Sequence, residues 1–276
     1  MTREETLIRK KVMIKSIMKS VPIDQQELYK EELAETEREL EIIYGTPHQS
    51  KQAFVEEIGL RKRDEQINEP VFLQPSKIKR RVRDLRKVIK SGIDLIDKKI
   101  IGFNPEELSI WSGSNGSGKS TVLSQIAIEC VEQGFKCAIF SGELNADRVL
   151  EWLTLQCAGK NHTEATQYEN FYRVPDEIKD KINAWLDGKL FIYNNKYGNN
   201  VKKVLNAVME CIRENKVNMV IIDNMMSLDV ASIGGDKYDR QTSLVIALSE
   251  MCKQYHVHVH FVAHPRKAMG FLRKTD

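Results

Sequence analysis

Leu108-Ser-Ile-Trp-Ser-Gly113-Ser-Asn-Gly-Ser-Gly118-Lys119-Ser120-Thr121 decides how this 276-residue chain is read. A short apolar run, a glycine-rich loop and an amphipathic stretch reaching Gln133 predict a strand, a tight turn and a helix in succession. Gly113, Gly116 and Gly118 allow the backbone N–H groups, with those of Ser114, Asn115 and Ser117, to curl around phosphate oxygens. Lys119 brings a positive charge to the β and γ phosphates of a nucleotide. Ser120 brings a hydroxyl able to ligate Mg²⁺ at the start of a helix, whose dipole also favours anions, and Thr121 completes the candidate set. A Gly/Ser linker would explain neither the lysine nor the flanking elements. The motif predicts binding of a nucleoside triphosphate.

From Gly92 onward, short apolar runs alternate with longer helical patterns, the mark of an α/β fold with a mostly parallel sheet covered on both faces. Strands are predicted at 107–112, 136–141, 189–193, 217–223 and 257–263, and helices at 119–133, 146–158, 176–187, 200–215 and 238–255. Asn145 reads as an N-cap and Gly134 as a helix stop. Two carboxylates stand at predicted strand ends. Asp223 closes the apolar run Asn218-Met-Val-Ile-Ile-Asp223, where a carboxylate can hold Mg²⁺ directly or through water. Glu143 follows Cys137-Ala-Ile-Phe-Ser141 and reads either as the base that orients an attacking water or as a surface acid complementing the next helix dipole.

Residues 1–68 read as a charged helical hairpin, with Thr2-Arg-Glu-Glu5 and Asp24-Gln-Gln-Glu27 as helix starts. Tyr29, Leu33, Thr36, Leu40 and Ile43 form a packing stripe along the second helix, and Gly45 and Pro47 stop it. Residues 69–91 read as a basic helical linker, and between Pro70 and Gly92 Lys77, Lys79, Arg80, Arg81, Arg83, Arg86, Lys87 and Lys90 stand against the single acid Asp84. Such a run can contact phosphates or form a solvated, subunit-bridging helix, and the two readings can coexist.

The net charge of +3 neither demands nor excludes a nucleic-acid partner, so local clusters carry that question. Lys237 and Arg240, in the polar loop 231–240, and Arg266 and Lys267, in the tail, are candidate DNA contacts; an ordinary surface loop and a frayed end are the alternatives. Five scattered cysteines without C-x-x-C pairing read as buried hydrophobes of a reducing compartment. No apolar run approaches the roughly 20 residues of a membrane span, and the N-terminus has no signal-type apolar core. His256, His258 and His260 alternate along one predicted strand, but a flat strand face rarely converges three imidazoles on one ion. His264 lies just past that strand, where a side chain can reach a γ-phosphate.

Gly102-Phe-Asn-Pro-Glu-Glu-Leu-Ser, Phe140-Ser-Gly-Glu143, Val220-Ile-Ile-Asp223-Asn and Val257-His-Val-His-Phe-Val-Ala-His264-Pro-Arg-Lys267 together resemble the RecA-like motor of DnaB-family hexameric replicative helicases, above all the Twinkle and phage primase-helicase branch. The resemblance covers residues 92–276. It implies ATP (or another nucleoside triphosphate) and Mg²⁺ as ligands, with Lys119 and Ser120 on phosphate and metal, Glu143 as catalytic base, Asp223 as the second metal ligand and His264 as phosphate sensor. It also implies an ATP-dependent DNA helicase of replication, a hexameric ring threaded by single-stranded DNA, a primase or helicase loader as partner, and a location in the bacterial cytoplasm or a phage-infected cell. The family's motor continues with further strands and an arginine finger, so a chain ending at Asp276 is expected to be C-terminally truncated. No zinc-finger pattern or acidic catalytic core precedes the motor, so no polymerising activity is expected. Two other readings share the motifs: a nucleotide-binding assembly module with little turnover, and a RecA or RadA-like recombinase, against which His264-Pro-Arg-Lys267 argues.

Overall fold

Apolar runs that are buried on both faces can satisfy their backbone only by pairing with one another, and in this chain they do so as a five-stranded, wholly parallel sheet. The strands are β1 (Leu108–Trp111), β2 (Cys137–Ser141), β5 (Leu190–Ile192), β6 (Met219–Asp223) and β7 (His258–Val262), in the order β1-β7-β6-β2-β5. A separate two-stranded ribbon is formed by β3 (Glu164–Ala165) and β4 (Tyr172–Arg173). The computed structural model describes residues 3–21, 26–44, 53–60, 72–78, 84–168 and 171–263. Its fold is RecA-like, as the resemblance implies.

The helices are α1 (Arg3–Ser20), α2 (Glu27–Tyr44), α3 (Asp94–Ile100), α4 (Lys119–Glu132), α5 (Ala146–Ala158), α6 (Asp176–Leu186), α7 (Val201–Asn215) and α8 (Lys237–Tyr255). In α7 the buried residues Val201, Val204, Leu205, Val208, Met209 and Ile212 follow the 3.6-residue period, and the helix packs on β2. Asn200 caps it, its side chain accepting from Lys203 N at 3.3 Å. Along α4, Leu123, Ile126, Ala127, Ile128 and Cys130 enter a core shared with Ile139, Met219, Ile221 and Val262. Gly134, at φ 85°, ends α4 as expected. Asn145 does occupy the N-cap of α5, but its side chain caps no N–H there.

Two compact units divide the chain, one of residues 1–65 and 230–247, the other of 66–229 and 248–276. The segment 230–247, expected with the motor, therefore groups with the N-terminal helices. In that unit α1 and α2 pair antiparallel, Arg3 reaching Glu39 at 3.0 Å and Lys10 reaching Glu32 at 3.1 Å. These exposed pairs set register more than they add stability. The helix expected over residues 69–91 is replaced, among the described residues, by single 3₁₀ turns at Pro75–Lys77 and Leu85–Lys87. A proline and a run of like charges with one acid give a helix little to hold it. Ile89 then bridges Phe103, with N–H···O distances of 2.9 and 2.7 Å.

The histidines of β7 are structural. His258 donates from Nδ1 to Asn104 O at 2.6 Å, which leaves Nε2 to accept from Ser109 Oγ at 2.9 Å. His260 accepts the Trp111 indole N–H on Nδ1 at 3.0 Å, and its ring meets Phe103 edge-on. His256 does not share their face. It precedes the strand at φ 53°, exposed and paired with Glu106 at 2.7 Å. Burial pushes the pKa of His258 down and that of His260 well down, so both are neutral in the fold. The unfolded chain takes up protons on these imidazoles near pH 6.5 while the folded chain resists them, so the unfolded state binds more protons below that pH. Stability is expected to be full above pH 6.5 and to fall below it, by up to about 1.4 kcal/mol per pH unit for each imidazole. Urea unfolding between pH 8 and pH 5 measures this, and His260→Phe should flatten the slope.

Candidate functional site

Because the five strands are parallel, their C-terminal ends share one edge of the sheet, and that edge carries the loop 113–121, Asp223 at the end of β6 and Glu143 just after β2. The glycine-rich loop leaves β1. Gly116 and Gly118 have φ of 74° and 84°, and an added Cβ at either would meet nothing within 4 Å. They are needed for their backbone conformation and not for space. Gly118 is the N-cap of α4, so the first amides of that helix face the loop interior. Lys119 folds its ammonium back over the loop, donating to Gly113 O at 3.0 Å and to Ser114 O at 2.9 Å.

Across the sheet edge, Ser120 Oγ donates to Asp223 Oδ2 at 2.5 Å. The sequence predicted these two as joint ligands of one ion, and the fold brings their oxygens together. Asp223 is also in register with Ser141 on β2, and Gly142 N donates to Asp223 O at 2.7 Å. Glu143 therefore emerges beside the end of β6. Its Oε1 accepts from Asn224 Nδ2, and the Asp223–Asn224 peptide is cis. A small cavity of about 110 Å³ opens beside Ser120 and Asp223, walled by Thr121, Leu144, Val149 and Trp152. A larger cleft, about 620 Å³, is lined by Glu107, Phe135, Asn218 and His256, which precede their strands. It lies at the opposite edge of the sheet and contains none of the predicted nucleotide-binding or catalytic residues.

A family model described as AAA domain matches residues 74–270. The chain belongs to this family. Among solved structures, one titled as an ATPase domain superimposes on this chain with a TM-score of 0.52 at 14% sequence identity, covering 64% of this chain and 63% of that one. The chain thus spans 63% of the length of the structure it matches.

Lys237 and Arg240 belong to the unit containing residues 1–65. Lys237 is exposed at the start of α8, whereas the Arg240 guanidinium donates to Gly235 O at 3.0 Å. His264, Arg266 and Lys267 lie outside the described residues. The cysteines are all free thiols, and burial pushes Cys252 up to about 12 and Cys157 up to about 11, so neither is nucleophilic. Among the described residues no helix is long and apolar enough to cross a membrane.

The sequence reading passed over Asn224 and Ser227. Asn224 Oδ1 accepts from Ser227 N at 3.1 Å, and Ser227 Oγ donates to Asn224 O at 2.8 Å. The signal was present: an asparagine followed three residues later by a serine is a capping pattern, here of the 3₁₀ turn Met225–Ser227. Asparagines 195 and 199 tie neighbouring loops to the same edge, donating to Ser141 O at 2.7 Å and to Ser227 O at 2.6 Å.

Proposed function

We propose that this chain is the ATP-hydrolysing motor of a replicative ring helicase, coupling nucleotide hydrolysis to translocation on single-stranded DNA. One observation carries the reading: an anion-binding loop, a hydroxyl–carboxylate pair and a second carboxylate meet on one sheet edge, as Lys119, Ser120 with Asp223, and Glu143. These are the parts phosphoryl transfer to water needs, namely a phosphate cradle, hard oxygen donors for Mg²⁺ and a base.

The donor set fits the ion. Ser120 Oγ and Asp223 Oδ2, within hydrogen-bond distance of each other, are both hard oxygen ligands of the kind Mg²⁺ takes. When bound, Mg²⁺ supplies neutralisation of charge on the phosphate oxygens. The chain's own residues do the rest. Loop amides and the N-terminus of α4 hold the phosphates, and Lys119 exchanges neutral carbonyl acceptors for charged phosphate oxygens. Glu143 takes the proton of the attacking water. His264 senses the γ-phosphate, and Lys237, Arg240, Arg266 and Lys267 contact the DNA strand in a hexamer of this chain, to which a primase or loader docks.

Steady-state ATP hydrolysis with and without single-stranded DNA tests the proposal. Turnover stimulated by DNA and dependent on Mg²⁺ is the expected result. Tight nucleotide binding without DNA-dependent turnover would replace the motor with a nucleotide-binding assembly module.

A further inference from the structure

Asn224 has no part in the scheme above, yet its surroundings are specific. It is 1% exposed, directly after Asp223. A primary amide has one acceptor oxygen and two donor hydrogens, and which way it faces follows from its partners. Here the backbone settles it. Ser227 N–H can only donate, so it fixes Oδ1 on the side of the Met225–Ser227 turn. The NH₂ group is thereby turned outward, where it donates to Glu143 Oε1. Ser227 can come this close because residue 142 has no side chain, a Cβ there overlapping both Cβ and Oγ of Ser227. Glu143 is itself exposed and on a loop, so a bond from a buried amide narrows the rotamers its carboxylate can take.

We infer that Asn224 is a positioning residue for Glu143: its amide holds one carboxylate oxygen in place so that the other is presented to the attacking water. This rests on the reading of Glu143 as the base. Gly142, Asn224 and Ser227 form one unit in which the backbone aims the amide and the amide aims the carboxylate.

Two substitutions in the full chain test it. Asn224→Ala removes both ends of the amide and is expected to lower kcat about tenfold to hundredfold with KM for the nucleotide unchanged. Asn224→Asp keeps an oxygen for Ser227 N–H, so the turn keeps its cap, but sets a carboxylate against Glu143. Like charge pushes the Glu143 carboxylate from the place the amide held it, so kcat should fall as far as in Asn224→Ala while thermal stability is kept. The ¹³Cδ signal of Glu143 in labelled protein, identified by its loss in Glu143→Gln, should move in Asn224→Ala as the bond from the amide is lost. An unmoved Glu143 signal in Asn224→Ala overturns the inference. So does loss of thermal stability in Asn224→Ala with kcat retained, which would make Asn224 a turn cap only. Absence of turnover in the unsubstituted chain would count against the motor, while the carboxyl signal would still decide whether Asn224 holds Glu143.

Discussion

Glu143→Gln is expected to lower ATP hydrolysis by about 10²- to 10⁴-fold while nucleotide affinity stays within a few-fold of the unsubstituted chain. The substitution removes basicity and little else. Glutamine has the same length, and its Oε1 can still accept from Asn224 Nδ2, so the side chain keeps its anchor. The phosphate-holding groups are on a different loop and a different strand, where Lys119 bonds Gly113 O and Ser114 O, and Ser120 bonds Asp223. Binding and chemistry should therefore separate. Titration with a fluorescent nucleotide beside a phosphate-release assay measures both. Hydrolysis retained within tenfold would mean that Glu143 is a surface acid near the start of α5.

Lys119→Ala should act on both quantities. The ammonium makes two bonds to neutral carbonyls in the loop, and a phosphate oxygen replaces them with a charge-assisted bond worth about 1.5–3 kcal/mol. Loss of that bond weakens nucleotide binding by about tenfold to a hundredfold. Charge that grows on the transferring phosphoryl group is also left unneutralised, so hydrolysis should fall by a further factor of about 10² to 10³. The fold should be nearly indifferent. Lys119 serves no core residue, and its bonds cross only its own loop, so the urea midpoint should hardly move. Calorimetric nucleotide binding, turnover and unfolding on the same preparation separate these effects, and a large fall in the midpoint would show that the lysine is structural.

The sequence disclosed the strands well because burial on both faces leaves an unambiguous apolar run, as in Met219–Asp223 and Cys137–Ser141. The helices α4 to α8 were legible from their period and boundaries. What escaped was short or non-periodic. The ribbon β3–β4 has strands of two residues and α3 only seven, both below the length at which a pattern repeats. The basic segment around Arg86 was read as a helix because an apolar stripe was present, but its described residues form 3₁₀ turns, as like charges and Pro75 favour. In the candidate site, Lys119, Ser120 and Asp223 were visible because their chemistry depends on residue type in a fixed spacing. Asn224 was not, because its relation to Glu143 is created by two strands lying side by side. His258 and His260 posed the converse problem, since alternation drew attention to a metal and the fold uses the rings for internal hydrogen bonds.

The contact between Gly142 and Ser227 also limits how this sequence can drift. Any side chain at 142 overlaps both Cβ and Oγ of residue 227, so even Ser227→Ala would not make room for Gly142→Ala. Only glycine at 227 would, and that change first discards the hydroxyl that donates to Asn224 O. A side chain at 142 thus has to wait for glycine at 227, whereas 227 can change while 142 stays glycine. The two positions, far apart in the chain, are epistatic in one direction, and a lineage that has lost Gly142 should be found to have glycine at 227.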